Sequence, residues 1–329
     1  MRKLTTYLLT GLLFIISCQK NEKIKPTSES ESQISTEEPQ RCASVEVLQQ
    51  NLADDPSLFD RMQRIEVQTQ KVLKNKSAYR LLSDGTIEIP VIVHVIYRAA
   101  DENISNAQIA SQIAVLNEDF MNTNADRTKV PNNFKDEQTS VGIRFVLKSV
   151  IRKFSNKKSW GTNDAMKYDS RGGSNVVDPQ NNLNIWVVNR MTSGKSTILG
   201  YAQFPGGNWA TDGVVIGHNF FGRVGKVSVP FDKGRTATHE VGHWVNLRHI
   251  WGDATCGTDY VDDTPVHNTA NFGCPSFTHR STCTGTPLEM WMNYMDYTDD
   301  ACMYMFTNNQ KDRMRAVFTT GGFRSALGK

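Results

Sequence analysis

The sequence lacks an excess of one charge sign. Its formal net charge is only +3, and no basic run interleaves with aromatic residues, so nucleic acid is not an expected partner. It also has no internal repeat. Histidine is scarce, 7 in 329 residues, so three of them in one short stretch form a signal rather than background. Hydrophobic residues at 39% and charged residues at 22% describe an ordinary globular chain, long enough for one large domain or two small ones.

The N-terminus has the build of an export signal over residues 1–18. Arg2 and Lys3 precede an apolar run from Leu8 to Ile16, which is too short to span a bilayer. The run ends in Ile15-Ile16-Ser17-Cys18 and resembles the lipobox of bacterial lipoproteins, in which the cysteine thiol receives the lipid. A plain secretory signal is the other reading. Either way the chain leaves the cytoplasm, secreted or held at the bacterial outer membrane, and a membrane enters only through a lipid on Cys18. Export would put Cys42, Cys256, Cys274, Cys283 and Cys302 where disulfides persist. Four of these lie in one C-terminal stretch, which allows three pairings, and Cys42 is left over.

Residues 19–41 are rich in Ser, Glu, Lys, Gln and Pro and read as a disordered tether. Residues 42–82 read as helical, with Val45, Leu48, Leu52, Leu58, Met62, Ile65 and Val72 near helical spacing. Lys71, Lys74, Lys76 and Arg80 then make a basic stretch that a trypsin-like cut could open. We therefore divide the chain into a tether and pro-segment over 19–85 and one domain over 86–329. In that domain the run from Ile87 to Tyr97 is strand-like. Ser105 with Gln108 reads as a capping box for a helix through Ile109, Ile113, Leu116 and Phe120. Ile143–Ile151, Leu183–Val188 and Val214–Ile216 are further strands. This order implies an α+β domain with a mixed, twisted sheet.

The chemistry lies in Thr238-His239-Glu240-Val241-Gly242-His243-Trp244-Val245-Asn246-Leu247-Arg248-His249. Positions four apart share a helix face, so His239 and His243 can present imidazoles to one ion, while Glu240 is turned toward a water rather than the metal. Catalytic zinc takes three protein ligands and keeps one position open. His249 can be the third only if the helix stops and the chain bends sharply before it. Such a bend needs φ > 0, and Asn, which adopts it best after Gly, stands at 246. The pattern implies hydrolysis of peptide bonds, with Glu240 as general base and then general acid.

The segment His239 to His249 resembles the metzincin consensus HExxHxxGxxH, with Asn246 in place of the consensus Gly. His-Glu-Val-Gly-His-Trp, Trp251-Gly252-Asp253 and the run from Asn293 to Cys302 are similar to the pappalysin (cytophagalysin) family. The resemblance is close over about residues 230 to 310. It implies a metzincin-like fold with a zinc-binding helix above a loop-rich, disulfide-tied lower half. It implies Met295 as a hydrophobic floor under zinc, and Tyr297 as a phenol donating to the developing oxyanion. It also implies disulfides Cys256–Cys283 and Cys274–Cys302, and Cys42 as a zymogen switch that fills the open zinc position. Calcium is implied at Asp259, Thr264 and the carbonyl of Val261, with Asp262 or Asp263 helping. Some relatives favour a basic residue after the cut; Asp299 or Asp300 could supply the charge, and Ala301 stands where such an acid is expected. His94, His218, His267 and His279 have no spaced partner and read as structural or surface residues.

Two other classes compete. A thermolysin-like peptidase would take a more distant Glu as third ligand, which His249 and the Met-turn oppose. A surface-anchored binding protein with structural zinc would leave Glu240 without a task. The partners expected of the enzyme are proteins or peptides.

Overall fold

The computed structural model describes residues 39–75 and 85–328. The expected export signal with Cys18, most of the tether, and Lys76 and Arg80 of the basic stretch lie outside the described residues. In chain order the strands are β1 (Gln40–Cys42), β2 (Ile87–Tyr97), β3 (Ile143–Phe154), β4 (Leu183–Val188), β5 (Met191–Ser193), β6 (Ser196–Ala202) and β7 (Val214–Gly217). The helices are α1 (Ser44–Asp54), α2 (Ser57–Lys74), α3 (Asn106–Phe120), α4 (Arg235–Trp244) and α5 (Asn308–Ala316).

Burial on both faces explains why β2 is nearly continuous in apolar residues: a strand inside a parallel sheet needs cover above and below. β3, β4 and β7 run parallel to it, β6 closes the sheet antiparallel to β7, and the order is β1-β6-β7-β4-β2-β3, with β5 beside β6. On one face Ile109, Leu116 and Phe120 of α3 join Ala237, Val241 and Trp244 of α4 in a single core. On the other, Trp186, Tyr201 and Val215 pack with Trp160, Met166, Ala43 and Val47. The sheet is thus the mixed one expected, and α4 packs against its strands β6 and β7.

Three expectations need correction. The tether does not extend to residue 41, because Gln40 and Arg41 pair with β6 in parallel, with Gln40 opposite Ile198 and Cys42 opposite Gly200. An uncovered edge strand offers a row of unpaired backbone groups, and Gln40–Cys42 takes them up. The helical segment is two helices broken at Asp55-Pro56, and Val47, rather than Val45 or Leu48, is the buried apolar residue of the first. Only half of the capping box forms. Ser105 accepts from the Gln108 backbone at 3.1 Å, but the Gln108 amide donates to the carbonyls of His218 and Phe221, both at 2.9 Å. The Gln108 Oε1 that would close the box accepts instead from the Lys226 N–H at 3.1 Å. His94 is structural: it stacks on Trp186 and bonds Ser174 and Asn184.

The C-terminal tail locks onto α4. Arg324 places its guanidinium 3.7 Å from the Trp244 ring, donates to the Trp244 carbonyl at 2.9 Å, and forms a bidentate pair with Asp212 at 2.9 Å per bond. Trp244 Nε1 also donates to Asp212. All three side chains are shut off from solvent. Asp212→Ala leaves a guanidinium buried without its counter-ion, and is expected to lower the unfolding free energy by about 3–5 kcal/mol in denaturant titration.

Candidate metal centre

Helix α4 starts without a side-chain cap of its own, at Gly234 with φ of +78°. The carboxylate of Asp300 takes that task, accepting from the backbone N–H of Lys233 at 2.8 Å and Arg235 at 3.1 Å. Asp300 is thereby buried and committed to the helix start. Ten residues on, the helix stops. The Asn246 N–H bonds the His243 carbonyl and the Leu247 N–H bonds the Gly242 carbonyl, both at 2.9 Å. Asn246 itself has φ of +82°. These bonds and this angle form a Schellman turn with Asn at the left-handed position, and the turn swings His249 back toward the ligand face.

The three imidazoles converge. Nε2 of His243 lies 3.1 Å from Nε2 of His239 and 3.0 Å from Nε2 of His249. The Nδ1 atoms fix the tautomers, since His239 meets the Tyr294 carbonyl at 2.7 Å and His243 the Leu247 carbonyl at 2.8 Å. Carbonyls only accept, so these Nδ1 atoms carry the protons. His249 Nδ1 meets Asp253 Oδ1 at 2.5 Å. Burial and the neighbouring His249 ring push His239 down to about 3, and burial pushes His243 well below its usual value, so both rings are neutral. Their Nε2 lone pairs therefore point at one another in a dry site, which is repulsive unless a cation lies between them. Two ligands of tetrahedral zinc are about 3.3 Å apart, close to the spacing present. The residues fit the metal.

Cys42 Sγ completes the set, and these four donors lie within 4.8 Å of one another; among the described residues no other group of three or more His, Cys, Asp or Glu does so. Glu240 sits beside it. Its Oε2 accepts from the Ser44 hydroxyl at 2.8 Å and from the Cys42 thiol at 3.4 Å. Its Oε1 is buried with no hydrogen-bond partner. Burial pushes the Glu240 carboxyl up to about 8, and burial with Glu240 pushes the Cys42 thiol well up. Ser44 also accepts from the Ala202 N–H at 2.8 Å, so one hydroxyl engages both the sheet edge and the carboxylate. Sequence reasoning missed Ser44; its place two residues after Cys42 was the available signal.

Met295 is fully buried under the helix. A Cβ on Gly242 would stand 2.5 Å from its sulfur, so the Met-turn approach requires glycine there. Tyr297 lies 4.8 Å, ring to ring, from His249, and its hydroxyl donates to the Cys42 carbonyl at 3.4 Å. Arg41 lies with its guanidinium 3.9 Å from the Phe231 ring and 3.5 Å from Asp299. Of the two acids considered from the sequence, Asp299 faces Arg41, while Asp300 is held at the start of α4 beside Arg235. Cys256–Cys283 and Cys274–Cys302 are disulfides: the first closes the loop after His249 on itself, and the second ties that loop to the Met-turn segment. Thr264 Oγ lies 2.9 Å from both Asp259 Oδ2 and the Val261 carbonyl. Asp263 does not join them: it bonds the Thr307 hydroxyl and the Asn309 N–H at the start of α5.

A mixed sheet, a broken helix carrying three converging histidines and a Met-turn beneath them define a metalloprotease of the metzincin class. The sequence model of a peptidase family described as pregnancy-associated plasma protein-A matches residues 167–319. An extracellular metalloprotease of Coccidioides posadasii is 30% identical over 80% of this chain and 86% of its own. One from Pyricularia oryzae is 33% identical over 71% and 76%. Promirolysin of Tannerella forsythia, solved as a mutant, is 42% identical with a TM-score of 0.78, over 87% of this chain and 96% of its own. Mature mirolysin of the same organism, in complex with a cleaved peptide, is 45% identical with a TM-score of 0.70, over 74% and 96%. The chain belongs to the pappalysin family of metalloproteases.

Asp253→Ala removes the carboxylate that orients His249. It is expected to weaken zinc retention by about 10–100-fold in competition with a chelator.

Proposed function

We propose that this chain is the zymogen of an exported zinc endopeptidase, with His239, His243 and His249 as metal ligands and Glu240 as the proton carrier. The observation that carries it is the convergence of three neutral Nε2 atoms beside a buried carboxylate. When bound, zinc supplies a Lewis acid that polarises a carbonyl and acidifies water. Glu240 takes the proton from the attacking water and hands it to the departing amine. Tyr297, whose hydroxyl now donates to a carbonyl of the pro-segment, donates to the scissile carbonyl oxygen as charge develops there. Met295 backs the ligand helix.

Latency rests on the strand Gln40–Cys42. Cys42 Sγ would take the fourth metal position, Ser44 holds Glu240, and the strand covers the edge of β6 that an extended substrate would pair with. Arg41 holds a seat beside the metal, made by Phe231 and Asp299, and this supports selection of a basic side chain next to the cut. The cut that releases the mature domain, residues 86–329, falls between α2 and β2. The relatives named as extracellular support export through residues 1–18; Cys18 is the lipid attachment point. A peptide substrate is supported by the cleaved peptide bound to mature mirolysin.

Calcium is our second metal assignment, at Asp259, Thr264 and the carbonyl of Val261. Burial pushes Asp259 up to about 7 although the Thr264 hydroxyl and the Val261 N–H donate to it; a hard cation would hold it ionised. Calcium is expected to raise the melting temperature of the chain, and Asp259→Asn to remove that rise.

Cleavage of a mixed peptide library by the chain lacking residues 1–18, after a light trypsin nick, tests the peptidase. Cuts should appear with the unmutated protein and vanish with Glu240→Ala; equal silence with one zinc per chain would favour a binding protein. Without the nick, Ser44→Ala should raise residual activity about fivefold, because an ordinary hydrogen bond is worth roughly 1 kcal/mol net. No increase would remove Ser44 from the latch.

A further inference from the structure

Beyond the Arg41 seat, on the side of Pro39 and Thr197, the cleft widens into a trough of about 760 Å³. Phe220, Val229, Pro230 and Phe231 contribute one part of its lining and Phe272 another. Two of these side chains stand in water, Val229 at 79% and Phe272 at 59% exposure. Large apolar groups left exposed along a cleft mark a binding surface more often than a packing fault.

The lips are held rigidly. Ser228 N–H bonds the Asn219 carbonyl and Phe231 N–H bonds the Ser228 carbonyl, both at 2.9 Å. Asp300 N–H bonds the Pro230 carbonyl at 3.3 Å, and Asp299 N–H bonds the Gly273 carbonyl at 3.0 Å. Cys274 is bridged to Cys302. Both lips are therefore fastened to the same four residues at the exit of the Met-turn, so their spacing is set before anything binds. The trough is also continuous with the line of the pro-segment strand. Cys42 lies at the metal, Arg41 in its seat, and Pro39 already lines the trough. The acid of the lining, Asp299, faces Arg41, which leaves the rest of the surface neutral.

We propose that Val229 and Phe272 are specificity-determining residues, forming the lips of a subsite for an aliphatic or aromatic substrate side chain. The enzyme then reads a basic residue nearest the cut and an apolar one next along the same side. This rests on the peptidase reading above and adds a second specificity element to it.

The test uses the full chain activated by limited trypsin treatment, and peptides with arginine fixed beside the cut and Leu, Phe, Ser or Glu at the next two positions. Leu and Phe peptides are expected to exceed the Ser peptide in kcat/KM by about tenfold. In the double variant Val229→Ser, Phe272→Ser this ratio should fall to near one. Fluorescence anisotropy of the same peptides on the trypsin-treated Glu240→Ala chain should give the same ranking in Kd without turnover. Equal rates for all four peptides, or a preference that survives the double variant, overturns the subsite. Should no peptide be cut, the peptidase reading fails, and the anisotropy ranking alone decides the subsite.

Discussion

One backbone angle carries the centre: the left-handed turn at Asn246. Without it α4 would continue and carry His249 to the far side of the helix, leaving two ligands where catalytic zinc needs three. The turn is supported from outside the helix. Arg313 Nε donates to the Asn246 carbonyl at 2.8 Å, and its guanidinium pairs with both oxygens of Glu66 in α2 at 3.0 and 2.7 Å. The same arginine thus steadies the ligand turn and anchors α2.

The lower half, after His249, has little regular structure and a different kind of support. Trp251, Met290, Trp291, Met292 and Met305 make a small core under the Met-turn. Around it, Asn271 donates to both Glu289 and Asp296, and the Met290 N–H is accepted by His267 Nε2 at 2.9 Å. Buried carboxylates in such a region are stable only while each finds donors. The two disulfides shorten the open chain that this network must order. His267, with no partner visible in the sequence, is structural for this reason.

The strand Gln40–Cys42 reaches the site by a simple physical route. β6 is an edge strand with backbone groups to satisfy, and a short extended strand satisfies them. Ala43 N–H bonds the Gly200 carbonyl at 3.0 Å, and Ser44 completes the pairing through the Ala202 N–H. Once that register is fixed, Cys42 meets the histidines and Arg41 meets Phe231 and Asp299 with no further choice.

Much of this was legible in the sequence because its signals are local. Helix spacing puts His239 and His243 on one face, and Asn246 marks the break. The apolar run of β2 declares a doubly covered strand, and the Met-turn wording marks the family. What could not be read depends on contacts distant in sequence. Gln108 gives the oxygen that would close its cap to the N–H of Lys226, 118 residues away, and Asp300 rather than Asp299 became the cap of α4. Gln40 and Arg41 look like tether until β6 offers them an edge. Ser44 acquires a partner only because the sheet brings Glu240, 196 residues on, to its hydroxyl. By itself the sequence determined which atoms could bind a metal. Only the folded chain decided which groups meet them, since burial and backbone pairing are properties of the assembled sheet.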